Sequence, residues 1–327
     1  MVWFEKPSQL WATGTENGEG PGVEAAYGAE VRRLRVRVTG YVLGEDNRLT
    51  LSVGTPGDER LGPDVSDFGV VDAYVGFLQL RDMGVRVGLQ LVPLLREWIT
   101  LAPALTIPER SQSARRWHAG RRFGATLGSD DFLGVQRIRY RAGVFLRNSA
   151  DARPTRVSVM ARADVSILGR VRLDQGGDLS RSPTPRLSLG GGYMFQSNEG
   201  ARGGGNDEQN ATVDVVFRVS GFSAECTFLW ARAAAIDTRW PTVTNIAGNV
   251  LLAYLVPSIN LELALRYNAA RSEFAEGTYY VEHEWTGALS YYVLGNHAFK
   301  VQAAITYDQG GDDDGFFSGV LAIQAHL

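Results

Sequence analysis

Residues Val31–Gly40 read VRRLRVRVTG. Arg33, Arg35 and Arg37 alternate with Leu34, Val36 and Val38. A period of two marks a β-strand, whose successive side chains point to opposite faces. One face of this strand is cationic and the other aliphatic. A soluble sheet shows this pattern when its dry face packs on a core. A membrane barrel shows it when the dry face meets lipid and the wet face meets water. The remaining sequence has to separate the two.

Composition narrows the classes. The chain has 327 residues, enough for one large domain or two ordinary ones, and a net charge of −3, which gives no general attraction to nucleic acid. Its apolar content is 44% and its mean hydropathy lies slightly below zero. Both fit a soluble protein, and both fit a barrel, because a barrel averages lipid-facing with water-facing residues. Runs such as VLLAYLV (Val250–Val256) fall far short of the ~20 apolar residues of a transmembrane helix. Cys226 is the single cysteine, so neither an intrachain disulfide nor a thiolate metal site is expected. The only lysines are Lys6 and Lys300. Basic charge is therefore almost all arginine, which stays ionised and grips phosphate or carboxylate bidentately. The start, MVWFEKPSQLW, has no apolar signal core, which predicts a cytoplasmic or an already mature chain.

The alternation recurs to the last residues. In LGVQRIRYRAGVFL, Arg137, Arg139 and Arg141 oppose Ile138, Tyr140, Ala142 and Val144. RVSVMARADVSI, TVDVVFRV, AECTFLW, NLELALRYN and FKVQAAITY alternate in the same way, and in VVDAYVGF the residues Val71, Ala73, Val75 and Phe77 share a face. The pattern predicts strands at 8–14, 31–42, 47–54, 70–80, 84–91, 117–127, 133–146, 154–167, 185–196, 209–220, 223–232, 243–255, 258–268, 281–292, 297–307 and 316–327. That is sixteen, most of them longer than the ~5–6 residues usual in soluble sheets. Short connections (43–47, 81–84, 128–131, 220–223, 294–297) alternate with longer ones (55–70, 92–116, 197–208, 233–242, 269–280, 308–315). The expected fold is an all-β, antiparallel transmembrane barrel of about 16 strands, one domain over 1–327, with short periplasmic turns and longer extracellular loops. Segment 168–184 is the exception, a long connection on the short-turn side. Aromatics near strand ends (Tyr41, Phe145, Trp230, Tyr291, Tyr292, Phe299, Tyr307, Phe316, Phe317) predict interfacial girdles.

Several motifs carry little chemistry. DQGGDDDG (308–315) reads as a solvated loop more readily than as a Ca²⁺ site. GGGYMFQSNEGARGGGN has no phosphate-loop lysine. His118, His283, His297 and His326 lack metal-ligand spacing, and a His283–Ser290 hydrolase pair is remote. No cofactor, metal or enzymatic activity is expected.

A resemblance sharpens the reading. DAYVGFLQL, VRVGLQLVPLLREW and ERSQSARRWHAGRRFGATLG, between Asp72 and Gly128, bring together Asp72 and Ala73; Val87, Gly88 and Pro93; Glu97; Glu109, Arg110 and Ser111; and Gly120 and Arg121. This block resembles the phosphate-selective porin O and P family of outer-membrane channels. VRRLRVRVTG, YRAGVFLRN and RLSLGGGYMFQ resemble further stretches of it. The chain departs from the family in its near-absence of lysine, in Arg122 where an acid is common, and in a C-terminal Leu327 where an aromatic is usual. The resemblance implies a sixteen-stranded homotrimeric channel in the bacterial outer membrane, in contact with lipid and small anions, phosphate among them.

On this reading Arg33, Arg35, Arg37, Arg86, Arg122, Arg137, Arg139, Arg141 and Arg162 line water from the first half of the strand order. The 92–116 connection is the candidate constriction loop and brings Arg110, Arg115 and Arg116. Arginines at a narrow, low-dielectric constriction concentrate anions and repel cations. The plainer alternative is that many of them pair with Glu109, Asp72, Asp164 or Glu97 and hold loop to wall. Asp214, Glu225, Glu262 and Glu284 lie in the second half, so a transverse field is also open. The expected function is a passive porin favouring small anions. An unselective diffusion porin, a non-conducting barrel serving as enzyme or scaffold, and a soluble β-protein are the rivals.

Overall fold

The computed structural model describes residues 2–14, 25–30, 34–42, 44–55, 69–80, 82–147, 156–197, 206–235, 242–274, 277–310 and 315–326. The strands are β1 (Val2–Gly14), β2 (Ala25–Glu30), β3 (Arg35–Tyr41), β4 (Asn47–Gly54), β5 (Gly69–Phe77), β6 (Gly84–Leu91), β7 (Arg121–Ser129), β8 (Ile138–Arg147) and β9 (Arg156–Leu168). They continue with β10 (Arg186–Ser197), β11 (Asn206–Val219), β12 (Phe222–Ala235), β13 (Val243–Val256), β14 (Leu261–Phe274), β15 (Tyr279–Tyr292), β16 (Phe299–Gly310) and β17 (Phe316–His326). The fifteen strands β3 to β17 form one antiparallel sheet in which each pairs with the next in sequence. β1 pairs with β17 through Glu5–Thr13, with β3 through Val2–Glu5 and with β2 through Gln9–Gly14. Among the described residues helix is confined to α1 (Arg96–Ile99), α2 (Gln112–Arg116) and two 3-10 turns.

The alternation marks most strands to within a few residues, and the departures have local causes. β2 (AAYGAE) was not anticipated, because small residues and glycine carry no period-two signal. β7 begins at Arg121 rather than 117, since α2 and Gly120, at φ +67°, occupy the preceding residues. β11 and β14 run beyond the apolar pattern into NDEQN and ARSEF, a polar continuation that hydrophobic periodicity does not register. A fourteen-residue strand is about 46 Å long at ~3.3 Å per residue and, tilted ~40°, rises roughly 35 Å against an apolar band of ~25 Å. Its polar end therefore stands clear of the band. In β5 a bulge shifts the register between Ser52 and Val53 of the partner strand. Val70 is consequently exposed and Val71 buried, correcting the expected Val71–Phe77 face.

One face of the sheet carries exposed aliphatic and aromatic side chains, among them Leu263, Leu265, Leu289, Ile305 and Leu321. Leu265 is 68% exposed. Each such side chain left in water forgoes roughly 1.5–3 kcal/mol of burial. A belt of them needs an apolar solvent, which argues against the soluble alternative. Tyr41, Tyr291, Phe316 and Phe317 are exposed as a girdle requires, whereas Phe145 and Tyr292 are fully buried on the opposite face. For those two the girdle expectation fails, because their register parity matches the inward residues.

Two connections fold back onto the inner face. Residues 92–120, between β6 and β7, bury Val92, Leu94, Leu95 and Trp98 against Phe145, Met160, Met194 and Leu229. Ile107 packs on Ala253, Ala264, Ala288 and Ala304, the inward small residues of β13 to β16. Residues 169–185, between β9 and β10, meet the first segment where Gly176 N–H donates to the Ala104 carbonyl at 2.8 Å and Thr100 Oγ1 donates to the Leu173 carbonyl at 3.1 Å.

Candidate functional site

The inward faces of β3 to β8 do not receive this cover fully. Between them and the 92–120 segment lies a cavity of about 200 Å³. Arg35 and Arg37 of β3, Arg86 of β6, Arg121 of β7, Arg141 of β8 and Arg110 of the inserted segment line it. Among the described residues Asp72 is the one carboxylate in that lining. The opposite wall is Pro93, Ile99, Leu101 and Ala102. Asp72 is shared: Arg121 Nε donates to Oδ1 at 2.8 Å and Arg37 Nη2 to Oδ2 at 3.4 Å. Arg37 Nε also donates to Ser52 Oγ at 3.0 Å. Arg86 lies over the Tyr74 ring, 5.9 Å from its centroid.

Arg110 is positioned by a stack. Its guanidinium sits 4.3 Å from the Trp98 ring, and Trp98 stacks on His118 at 4.2 Å. Trp98 Nε1 donates to the Ala114 carbonyl at 2.7 Å, while Arg110 Nε and Nη2 donate to the Glu97 and Thr100 carbonyls. Ser111 caps α2, accepting from Ala114 N–H, and donates to Glu97. The Glu-Arg-Ser run is thus a loop-folding device that also delivers one cation to the cavity.

Other expected residues lie elsewhere. Arg162 is buried: Nε donates to Asp164 at 3.1 Å, Nη1 to the Leu94 carbonyl at 2.9 Å, and Nη2 sits 2.8 Å from Asp214. Gly190 makes room for this cluster, since a Cβ there would stand 2.4 Å from both Arg162 and Asp164. Arg122 is buried among Ser158, Gln196 and the Ala119 carbonyl. Arg115 bridges Glu109 and Glu284, and Arg116 pairs with Glu282. Arg137 is exposed in the turn before β8, and Arg139 is half-buried outside the cavity lining. Arg33 lies outside the described residues. Arg121 was not among the candidates: parity with Phe123 turns it outward, but as the first residue after Gly120 it swings into the cavity.

The acids of the second half are engaged too. Glu225 accepts from Arg218 at 3.1 Å, and Glu284 accepts from Arg266 Nε at 3.1 Å. Arg266 and Lys300 donate to the carbonyls of Glu109 and Leu105, which fastens the inserted segment to β14 and β16. In the turn after β7, burial by itself would raise the Asp130 carboxyl, but the Arg141 guanidinium 3.0 Å away outweighs it and holds the group below its ordinary value. Among the described residues no group of His, Cys, Asp or Glu could hold a metal.

No family model matches the chain, and no curated protein matches it. Solved structures do. The chain is similar to OmpT, an outer-membrane protein of Vibrio cholerae in trimer form, at TM-score 0.67 and 12% identity over 100% of this chain and 98% of that one. It is similar to an anion-selective porin from Comamonas acidovorans at TM-score 0.66 and 11% identity, covering 100% and 99%. OpdK of Pseudomonas aeruginosa, crystallised with vanillate, matches at TM-score 0.51 and 13% identity, covering 100% and 98%. The fold is that of bacterial outer-membrane β-barrel proteins, and with the exposed apolar belt it places the chain in that membrane.

Proposed function

We propose that this protein is a passive porin whose water path runs along the β3–β8 wall and favours small anions. The observation that carries the reading is the cavity whose described lining includes six arginines and one aspartate. Guanidinium groups crowded into a narrow space beside low-dielectric protein raise the local anion concentration, and no bond needs to be made or broken. In this reading the sheet closes as a sixteen-stranded barrel, a closure supported by the pairing of β1 with both β17 and β3. Short turns face the periplasm, longer loops face outward, and 92–116 forms the constriction. The assembly is a homotrimer, in keeping with the resemblance and with the trimer form of the Vibrio protein.

Phosphate is the solute suggested by the resemblance. An organic carboxylate is the second candidate, favoured by the apolar wall of Pro93, Ile99, Leu101 and Ala102 facing the arginines. OpdK, a neighbour in fold, is the one crystallised with vanillate. The test is the reversal potential in a planar bilayer under a KCl gradient, followed by titration of the current with phosphate and then benzoate. Anion selectivity supports the porin reading, and whichever anion blocks at lower concentration names the class. A cation-selective or absent current would overturn it.

A further inference from the structure

The arginine-lined cavity does not end at Arg86 and Arg141. The same two side chains line a second cavity of about 230 Å³ toward the β5–β6 and β7–β8 turns, whose other polar walls include Ser129, Asp130 and Asp131. Gly128 pairs with Arg141 across β7 and β8, and a Cβ on it would sit 3.0 Å from Arg141 Cγ. The bare glycine lets the Arg141 side chain pass close over β7. Arg141 Nη2 donates to Asp130 Oδ1 at 3.0 Å, with side-chain exposures of 30% and 61%. Arg86 makes no ion pair among the described residues.

The turn that carries Asp130 is held in place. Asp131 Oδ1 accepts from Gln136 N–H, Leu133 N–H donates to Asp82 Oδ1 at 3.1 Å, and Tyr140 Oη donates to the Asp82 carbonyl at 2.6 Å. Asp130 is thus a carboxylate fixed beside a pair of arginines, one of which it occupies. An exposed one-to-one ion pair is worth at most about 1 kcal/mol, so a dissolved anion can compete for it. Arg162, 1% exposed and held by two aspartates and a carbonyl, offers no such opening.

We propose that Asp130 is a built-in competitor for permeating anions at a second station formed by Arg86 and Arg141. When the station is empty, its carboxylate occupies Arg141. An oxyanion small enough to bridge the two guanidiniums displaces it, and the freed carboxylate then repels the bound ion and hastens its release. Conduction needs binding strong enough for entry and weak enough for exit. Asp130 supplies the second condition, and the ligand class is a small oxyanion such as inorganic phosphate. The inference rests on the porin reading.

The test compares wild type, Asp130→Asn, Asp130→Glu and Asp131→Asn in planar bilayers at ~0.1 M KCl, with phosphate as the probe. Removing the competitor is expected to lower the half-blocking phosphate concentration about two- to fivefold in Asp130→Asn, the equivalent of up to ~1 kcal/mol. Asp130→Glu, which keeps the charge, stays near wild type. So does Asp131→Asn, whose position is tied to the turn. At ~1 M KCl, where the screening length is about 3 Å, the difference collapses. An anion-selective wild type with unchanged block in Asp130→Asn overturns the competitor and leaves the porin reading intact. Equal shifts in Asp130→Asn and Asp131→Asn mean a general field effect and also overturn it. A wild type without anion selectivity removes both.

Discussion

On the wall from β3 to β8, Arg35, Arg37, Arg86, Arg121 and Arg141 border a cavity and outnumber the carboxylates among its described lining residues, while Arg122 of the same wall is buried. On the wall from β9 to β17, Arg162, Arg218 and Arg266 are buried against Asp164, Asp214, Glu225, Glu284 and backbone carbonyls of the two inserted segments. The residue type and the strand pattern are the same on both sides. The difference is the cover. Where 92–120 and 169–185 lie on the sheet, water is excluded, and an ionised guanidinium there must be matched by acids and hydrogen bonds or bear a cost of several kcal/mol. Where they do not lie, the charge stays hydrated and available to a mobile ion. The covered half is the scaffold that holds the loop, and the cavity-lined half is the proposed path beside it.

Four measurements would break or sharpen this contrast. The largest effect is expected on the covered wall. Arg162→Met leaves Asp164 and Asp214 buried without their cation and is expected to destabilise the folded protein by about 3–5 kcal/mol, read from denaturant unfolding in lipid vesicles. A loss below ~1 kcal/mol would mean that the cluster is not dry. Next is Gly190→Val, which drives a side chain into the same cluster. An overpacking cost of roughly 1–3 kcal/mol is expected in the same assay, and a neutral result would contradict the close approach.

A smaller effect concerns His297, in the turn between β15 and β16. Burial first, and then the positive charge of Lys300, depress its pKa to about 3. The unfolded chain, with an ordinary value near 6.5, takes up a proton that the folded protein refuses. This contribution is therefore complete above pH ~6.5 and is lost as the pH falls from there toward 3. The unfolding midpoint should drop between pH 7 and pH 5 by an amount equivalent to about 2 kcal/mol. His297→Asn should flatten that slope, and an unchanged slope would assign it to other groups. The smallest stability change belongs to the open wall. Arg86→Gln should alter stability by less than about 0.5 kcal/mol while moving the reversal potential toward zero at low salt. A large stability loss without a selectivity change would reverse the roles assigned to the two walls.

Much of the fold was legible because the alternation is both long and regular. Leu263, Leu265 and Leu289 show their exposure in their parity alone, although β14, which carries the first two, runs six residues past its expected end. The polar continuations of β11 and β14, and the bulge that exchanges Val70 for Val71, escaped because apolar periodicity is blind to polar strand and to a single inserted residue. The candidate site was legible in kind rather than in membership. Arg35, Arg37, Arg86, Arg110 and Arg141 could be nominated from pattern and resemblance. Arg121 could not, since its parity points the wrong way, and no pattern separates Arg86 from Arg162, which alternate in equal measure.

The sequence by itself determined which residues form strands and which side of each strand is apolar, because those properties are local and repeat every two residues. Only the tertiary structure decided which arginines meet water. That choice depends on where two long connections come to rest, through contacts such as Ser113 with Asn268 and Arg116 with Glu282, each more than 150 residues apart in the chain. Burial is a property of what covers a residue, and the cover here arrives from distant sequence.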